Sequence, residues 1–115
     1  MKRRILLAAV AALATGSAFA HHGWSEYLAD KPLELSGTIE EAGYEQPHGF
    51  VRLKTADKTW LVILAPPYRM ESRGLARTKL VAGQKASVQG YPHRSKGEEL
   101  RAERIIIEGK TTELR

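Results

Sequence analysis

From Leu33 onward the chain alternates apolar and polar residues, and this period of two limits what it can fold into. Leu33, Leu35, Gly37 and Ile39 alternate with Glu34, Ser36, Thr38 and Glu40, the pattern of a strand with one face in a core and one in water. Gly37 inside this run predicts a bend or bulge, as at a barrel corner. A second strand sets Val51 and Leu53 against Arg52 and Lys54, Ala56-Asp57-Lys58 turns the chain, and a third strand runs from Thr59 to Ala65. Its segment Trp60-Leu61-Val62-Ile63-Leu64 is apolar on both faces. That suits a central strand covered by the core on one side and by an arm or helix on the other.

Pro66-Pro67 ends the third strand, and Pro67 can open a helix because a missing amide donor costs nothing in the first turn. The helix is expected over Tyr68 to Arg73, with Gly74 as its left-handed cap. Leu80, Gly83, Ala86, Val88 and Gly90 read as a turn and a fourth strand, with Lys85, Ser87 and Gln89 facing out. A last strand spans about Glu99 to Glu108 with broken parity: Leu100 and Ala102 share a face that Ile105 and Ile107 do not. A bulge near Glu103-Arg104 reconciles them. Residues 109–115 read as a turn and a loosely held tail. Five strands with one short helix between the third and fourth is the element order of a five-stranded OB-fold barrel over residues 33–115. An open β-sandwich or meander is the alternative.

Ahead of this domain stand a basic start (Lys2, Arg3, Arg4), an apolar run from Ile5 to Ala14, and small residues at Ala18 and Ala20. These are the three parts of an export signal, expected over residues 1–20 and cleaved after Ala20. The apolar run is too short to span a bilayer, which takes about 20 residues, so no stable membrane insertion is expected after cleavage. Cleavage would leave 95 of the 115 residues, one small periplasmic domain. The formal charge of +5 includes Lys2, Arg3 and Arg4, so about +2 remains on residues 21–115. Nucleic acid then loses its main electrostatic attraction. An aromatic surface of Tyr44, Phe50, Trp60 and Tyr91 with Arg52, Arg94 and Arg101 would be needed to revive that partner. With no cysteine the fold rests on its apolar core. Residues 21–32 lack sustained alternation and read as an arm pinned by Trp24 and Tyr27.

Cleavage after Ala20 would make His21 the first residue, freeing an α-amine whose proton is cheaply displaced near neutral pH. All four histidines of the chain, His21, His22, His48 and His93, then fall at that terminus or in the two connections that border the usual binding face of an OB fold. The amine and ring of His21 with the His48 ring form a three-nitrogen set of the kind called a histidine brace. A second arrangement uses the amine, the intervening amide and the His22 ring. Both favour Cu(II), with zinc or nickel as the alternatives. The plain alternative is that adjacent histidines are solvated and that Pro47-His48 and Pro92-His93 are ordinary loop residues. Glu40-Glu41 and Glu98-Glu99 read as solvated strand ends, and Arg69, Arg73 and Arg77, at helical spacing, as a solvated face.

The His-His pair after the export segment, Pro47-His48 in the first connection, the stretch from Leu80 to Gly90 and Arg101-Ala102-Glu103-Arg104-Ile105 together resemble a family of small exported bacterial proteins of unknown function. The likeness covers most of residues 21–115 and implies an OB-like barrel with His21, His22 and His48 as its notable residues. Gln46 replaces the family's asparagine before Pro47-His48, Gln84 replaces its aspartate after Gly83, and His93 matches no family motif. The expected function is periplasmic copper binding or handling, with a metal ion and an envelope protein as partners and no enzyme motif. A non-metal OB-like module for an envelope protein or small ligand is the rival, and a copper-dependent oxidative enzyme a third reading.

Overall fold

The computed structural model describes residues 23–115. Strands β1 (Leu33–Gly43), β2 (Phe50–Lys54), β3 (Thr59–Ile63), β4 (Lys85–Pro92), β5 (Glu99–Ile107) and β6 (Lys110–Glu113), with helix α1 (Pro67–Ser72) between β3 and β4, give the order β3-β2-β1-β4-β5-β6. A parallel pairing of β3 with β5, Leu61 to Ile63 against Glu99 to Arg101, closes the first five strands into a barrel. Closure leaves no open edge among those five.

Long β1 serves two neighbours: Leu33 to Thr38 pair with β4, and Thr38 to Gly43 pair with β2. Gly37 lies at this changeover, where an added Cβ would collide with the carbonyl oxygen of Lys54. The corner is therefore where the alternation places it. The bulge itself lies two or three residues on, since Ile39 opposes Leu53 while Glu41 opposes Arg52, leaving Glu40 as the extra residue. In β5 the bulge falls as the parity requires: Gln89 opposes Arg104 and Gly90 opposes Ala102, so Glu103 is extra. Leu100, Ala102, Ile105 and Ile107 consequently all point inward and are buried.

Helix α1 begins at Pro67, a position with no amide donor to strand, and Gly74 follows with φ +89°. Its Met70 is fully buried and joins Val51, Leu53, Val62, Leu64, Val88 and Leu100 in the core. No helix among the described residues is long and apolar enough to cross a membrane.

The tail expectation is corrected. Glu108 and Gly109, both with positive φ, make a two-residue turn of the kind that favours hairpins, and Lys110–Glu113 pairs with β5 as β6. Leu114 is 1% exposed. Arg73 and Arg77 are exposed, as expected of a solvated face, and Arg69 is half-buried; Arg69 and Arg73 in addition donate from Nη1 to the carbonyls of Leu114 at 3.1 Å and Glu113 at 2.7 Å. The helix thereby fastens the end of the chain.

Candidate functional site

The arm is attached rather than loose. Trp24–Glu26 forms one 3-10 turn, and Tyr27 then bridges His93 in antiparallel fashion. The Leu28 amide donates to the Pro92 carbonyl and the Arg94 amide to the Glu26 carbonyl, each at 2.9 Å. Tyr27 is buried, as its role of anchor requires. The Trp24 ring meets Tyr91 and Tyr27 edge-on, and the guanidiniums of Arg101 and Arg115 lie over it at 4.5 and 4.4 Å. An indole face attracts a cation in this geometry. The first and last described parts of the chain therefore meet at Trp24.

Beside this contact opens a cleft of about 390 Å³. The β1–β2 connection supplies Pro47 and His48, β3 supplies Ile63, the arm supplies Glu26 and Tyr27, and the start of β5 with its preceding loop supplies Arg101, Glu99 and Lys96. His48 is half-buried, and its Nε2 lies 3.3 Å from Arg101 Nη2. A guanidinium only donates, so Nε2 is the acceptor and the His48 ring is neutral. Burial, then Arg101 and Arg69, hold its pKa below the usual histidine range. Tyr27 Oη donates to Glu99 Oε2 at 2.5 Å. Burial, chiefly, and the Glu99 carboxylate push the phenol well above its ordinary pKa. Arg101 is 7% exposed. Desolvation lowers its pKa, the Tyr27 hydroxyl beside it works the other way, and Arg69 and Arg115 add repulsion.

The structure gives the expected histidines different surroundings. His48 lines the cleft. His93 is not among the residues that line it, and its ring lies edge-on to the Tyr27 phenol at 5.1 Å. Its Nδ1 accepts from the backbone amides of Ser95 and Lys96, each at 3.1 Å, and Nε2 lies 3.3 Å from Glu26 Oε1. Both ring nitrogens are thus engaged in holding the β4–β5 connection and the arm. His21 and His22, like residues 1–20 where an export signal is expected, lie outside the described residues. Among the described residues no group of three or more histidine, cysteine, aspartate or glutamate side chains could hold a metal ion.

Tyr44 is buried, with its hydroxyl donating to the Leu75 carbonyl at 2.7 Å and Arg77 over its ring. Trp60 is buried as well, so two of the four aromatics that could have made a stacking surface are core, and Phe50 and Tyr91 are half-buried. Arg101, Glu99 and Tyr27 form the cleft's polar frame without having been read as a group. The available signal was the outward parity of Arg101 in β5 combined with two aromatics in the arm, since arginine is a favoured partner for an aromatic face.

Comparison with solved structures finds OB-fold proteins. One is the OBody NL8 bound to hen egg-white lysozyme, with 17% identity and TM-score 0.54 over 70% of this chain and 96% of that one. Another is asparaginyl-tRNA synthetase from Pyrococcus horikoshii complexed with asparaginyl-adenylate, with 15% identity and TM-score 0.51 over 68% of this chain and 19% of the synthetase. A third is a ZRD-deleted mutant of TiaS in complex with agmatine, with 23% identity and TM-score 0.51 over 74% of this chain and 24% of that one. These likenesses establish the OB fold and nothing about ligands. No curated protein matches the chain in sequence. A family pattern matches residues 8–101, and over that span, which takes in the arm, His48 and the first residues of β5, the chain belongs to DUF6152, a family of unknown function.

Proposed function

We propose that the chain is exported, trimmed after Ala20, and acts in the periplasm as a copper-binding protein whose ligands are the amine and ring of His21 and the ring of His48, with His22 as the alternative donor. The observation that carries this reading is the short path from arm to loop: Trp24 rests on the Arg101 guanidinium, and the same guanidinium touches His48 Nε2. His21 stands three residues before Trp24, roughly 10 Å of extended chain, so the arm's beginning has the length to approach His48. The neutral state of the His48 ring also favours a metal, because only an unprotonated imidazole ligates. Nitrogen donors of this kind suit Cu(II), which would supply a Lewis-acidic and redox-capable centre. His93 is left out of the set because its nitrogens serve the fold. Handling or buffering of the ion suits a domain of this size better than oxidation chemistry.

Arg101 sets a condition on this reading. Its Nη2 occupies the His48 lone pair, so ligation through Nε2 requires the guanidinium to withdraw. Intact mass of the exported protein checks the start at His21. Copper titration against a competing chelator then compares that protein with a variant carrying one extra residue before His21 and with His48→Ala. Outer-shell partners of metal ligands are worth about 10–100-fold in affinity, so losing a ligand is expected to weaken binding at least that much. Equal affinity in all three proteins rejects the site.

A further inference from the structure

Arg101 is buried to 7% exposure, yet no carboxylate of the described residues lies within 4.0 Å of its guanidinium to form an ion pair. Residues 1–22 contain no aspartate or glutamate, so no acidic side chain elsewhere in the chain is left to neutralise it. Its Nε is buried without a hydrogen-bond partner among the described residues. The neighbouring Tyr27 hydroxyl favours its charge, and two further arginines, Arg69 and Arg115, oppose it. The Trp24 face offsets part of this cost, but a ring face supplies no in-plane acceptor. A buried charge that is neither paired nor fully hydrogen-bonded is strongly unfavourable, and Arg101 borders an open cleft.

We propose that this cleft binds a small organic monocarboxylate, with its carboxylate on Arg101 in place of the His48 Nε2 contact and its apolar body along Ile63, Pro47 and Tyr27. A guanidinium fork matches a planar carboxylate with two parallel bonds. A phosphate dianion fits less well, because Glu26 and Glu99 line the same cleft and repel a second negative charge. The volume of about 390 Å³ lies within the usual range for small-molecule sites. The proposal names a ligand for the cleft without using a metal, and so stands apart from the copper reading.

The test uses the exported protein beginning at His21, freed of metal with EDTA and titrated with sodium butyrate, sodium phosphate and butylammonium chloride while amide and indole resonances are followed. Butyrate is expected to give saturable shifts at His48, Ile63 and the Trp24 indole, with phosphate at least about tenfold weaker and butylammonium without effect. Arg101→Lys keeps the charge and loses the fork, and should raise the butyrate Kd by about tenfold or more, the loss of one charge-assisted bond. Ile63→Glu, whose backbone is paired in register with Arg101, supplies an internal carboxylate and should abolish butyrate binding. It keeps the question decidable if the lysine variant fails to fold. Butyrate binding unaltered in Ile63→Glu, phosphate binding as tight as butyrate, or no saturable shift in the parent each overturns the proposal. Copper titration of the same sample separates the two readings, since failure to bind copper leaves the butyrate result intact.

Discussion

The Tyr27 phenol joins the arm to the barrel through one acceptor, Glu99 Oε2, and its burial makes that bond consequential. Tyr27→Phe would keep the packing against His93 and Trp24 and leave Glu99 with Lys96, whose Nζ is 4.0 Å away. Loss of one partner from a part-buried hydrogen bond to a carboxylate costs about 1–3 kcal/mol, and urea denaturation near neutral pH should show a decrease of that size. The pH dependence has a definite sign. Folding raises the Tyr27 pKa above its ordinary 10.0, so the folded state holds this proton more tightly than the unfolded chain. The stabilisation is complete below pH 10 and is lost as pH rises above it towards the folded value. Stability should therefore fall above about pH 10 more steeply in the parent than in Tyr27→Phe. Tyr44, also raised, contributes equally to both proteins and cancels. Parallel pH profiles would show that Tyr27 does not titrate from a buried, bonded state.

At the scale of elements, what could be read from the residues depended on whether an error in register would move an apolar side chain. The Glu103 bulge was legible because Leu100, Ala102, Ile105 and Ile107 cannot share the core without it. The Glu40 bulge was not, since the only apolar residue beyond it in β1 is the small Ala42, and its broken parity with Ile39 is a weak signal although both pack into the core. Strand β6 was missed for a related reason: Lys110-Thr111-Thr112-Glu113 has no apolar alternation, and its pairing comes from the Glu108-Gly109 turn. Arg69 and Arg73 read as a solvated face, and Arg73 is exposed, but spacing along a helix says nothing about the carbonyls from 40 or more residues away that both also reach. The corrected tail carries its own prediction. Leu114 is 1% exposed and belongs to the core cluster, so Leu114→Ala should cost about 2–5 kcal/mol, the range for such truncations in a packed interior. A thermal or urea midpoint unchanged by that substitution would return residues 110–115 to the status of a tail.

Over the whole molecule, four stretches far apart in the chain, around Trp24, His48, Glu99 to Arg101 and Arg115, converge on one end of the barrel. The OB order of elements foretold that the two connections would border one face, which brought His48 into view. It could not foretell that Arg101 would be the centre, because that depends on which side chain the arm happens to cover. The barrel and the arm also differ in how they are held. Closed ladders fix the five strands on both sides, whereas the arm is tied by a single bridge, a few backbone bonds and the stacking of Trp24. Segments held by few contacts open without global unfolding, and such openings expose little surface. A small exposed surface means a weak dependence on urea. Hydrogen exchange should then show the Leu28 and Arg94 amides opening with almost no urea dependence, while hydrogen-bonded amides of β2 and β4 require the steep, global route. Trp24→Ala, which removes the stacked ring, should speed exchange at Leu28 and Arg94 and leave the β2 and β4 amides close to their parent values after correction for any change in global stability. Equal urea slopes at both sets of amides would mean that arm and barrel unfold as one unit, and that access to Arg101 and His48 cannot come from movement of the arm alone.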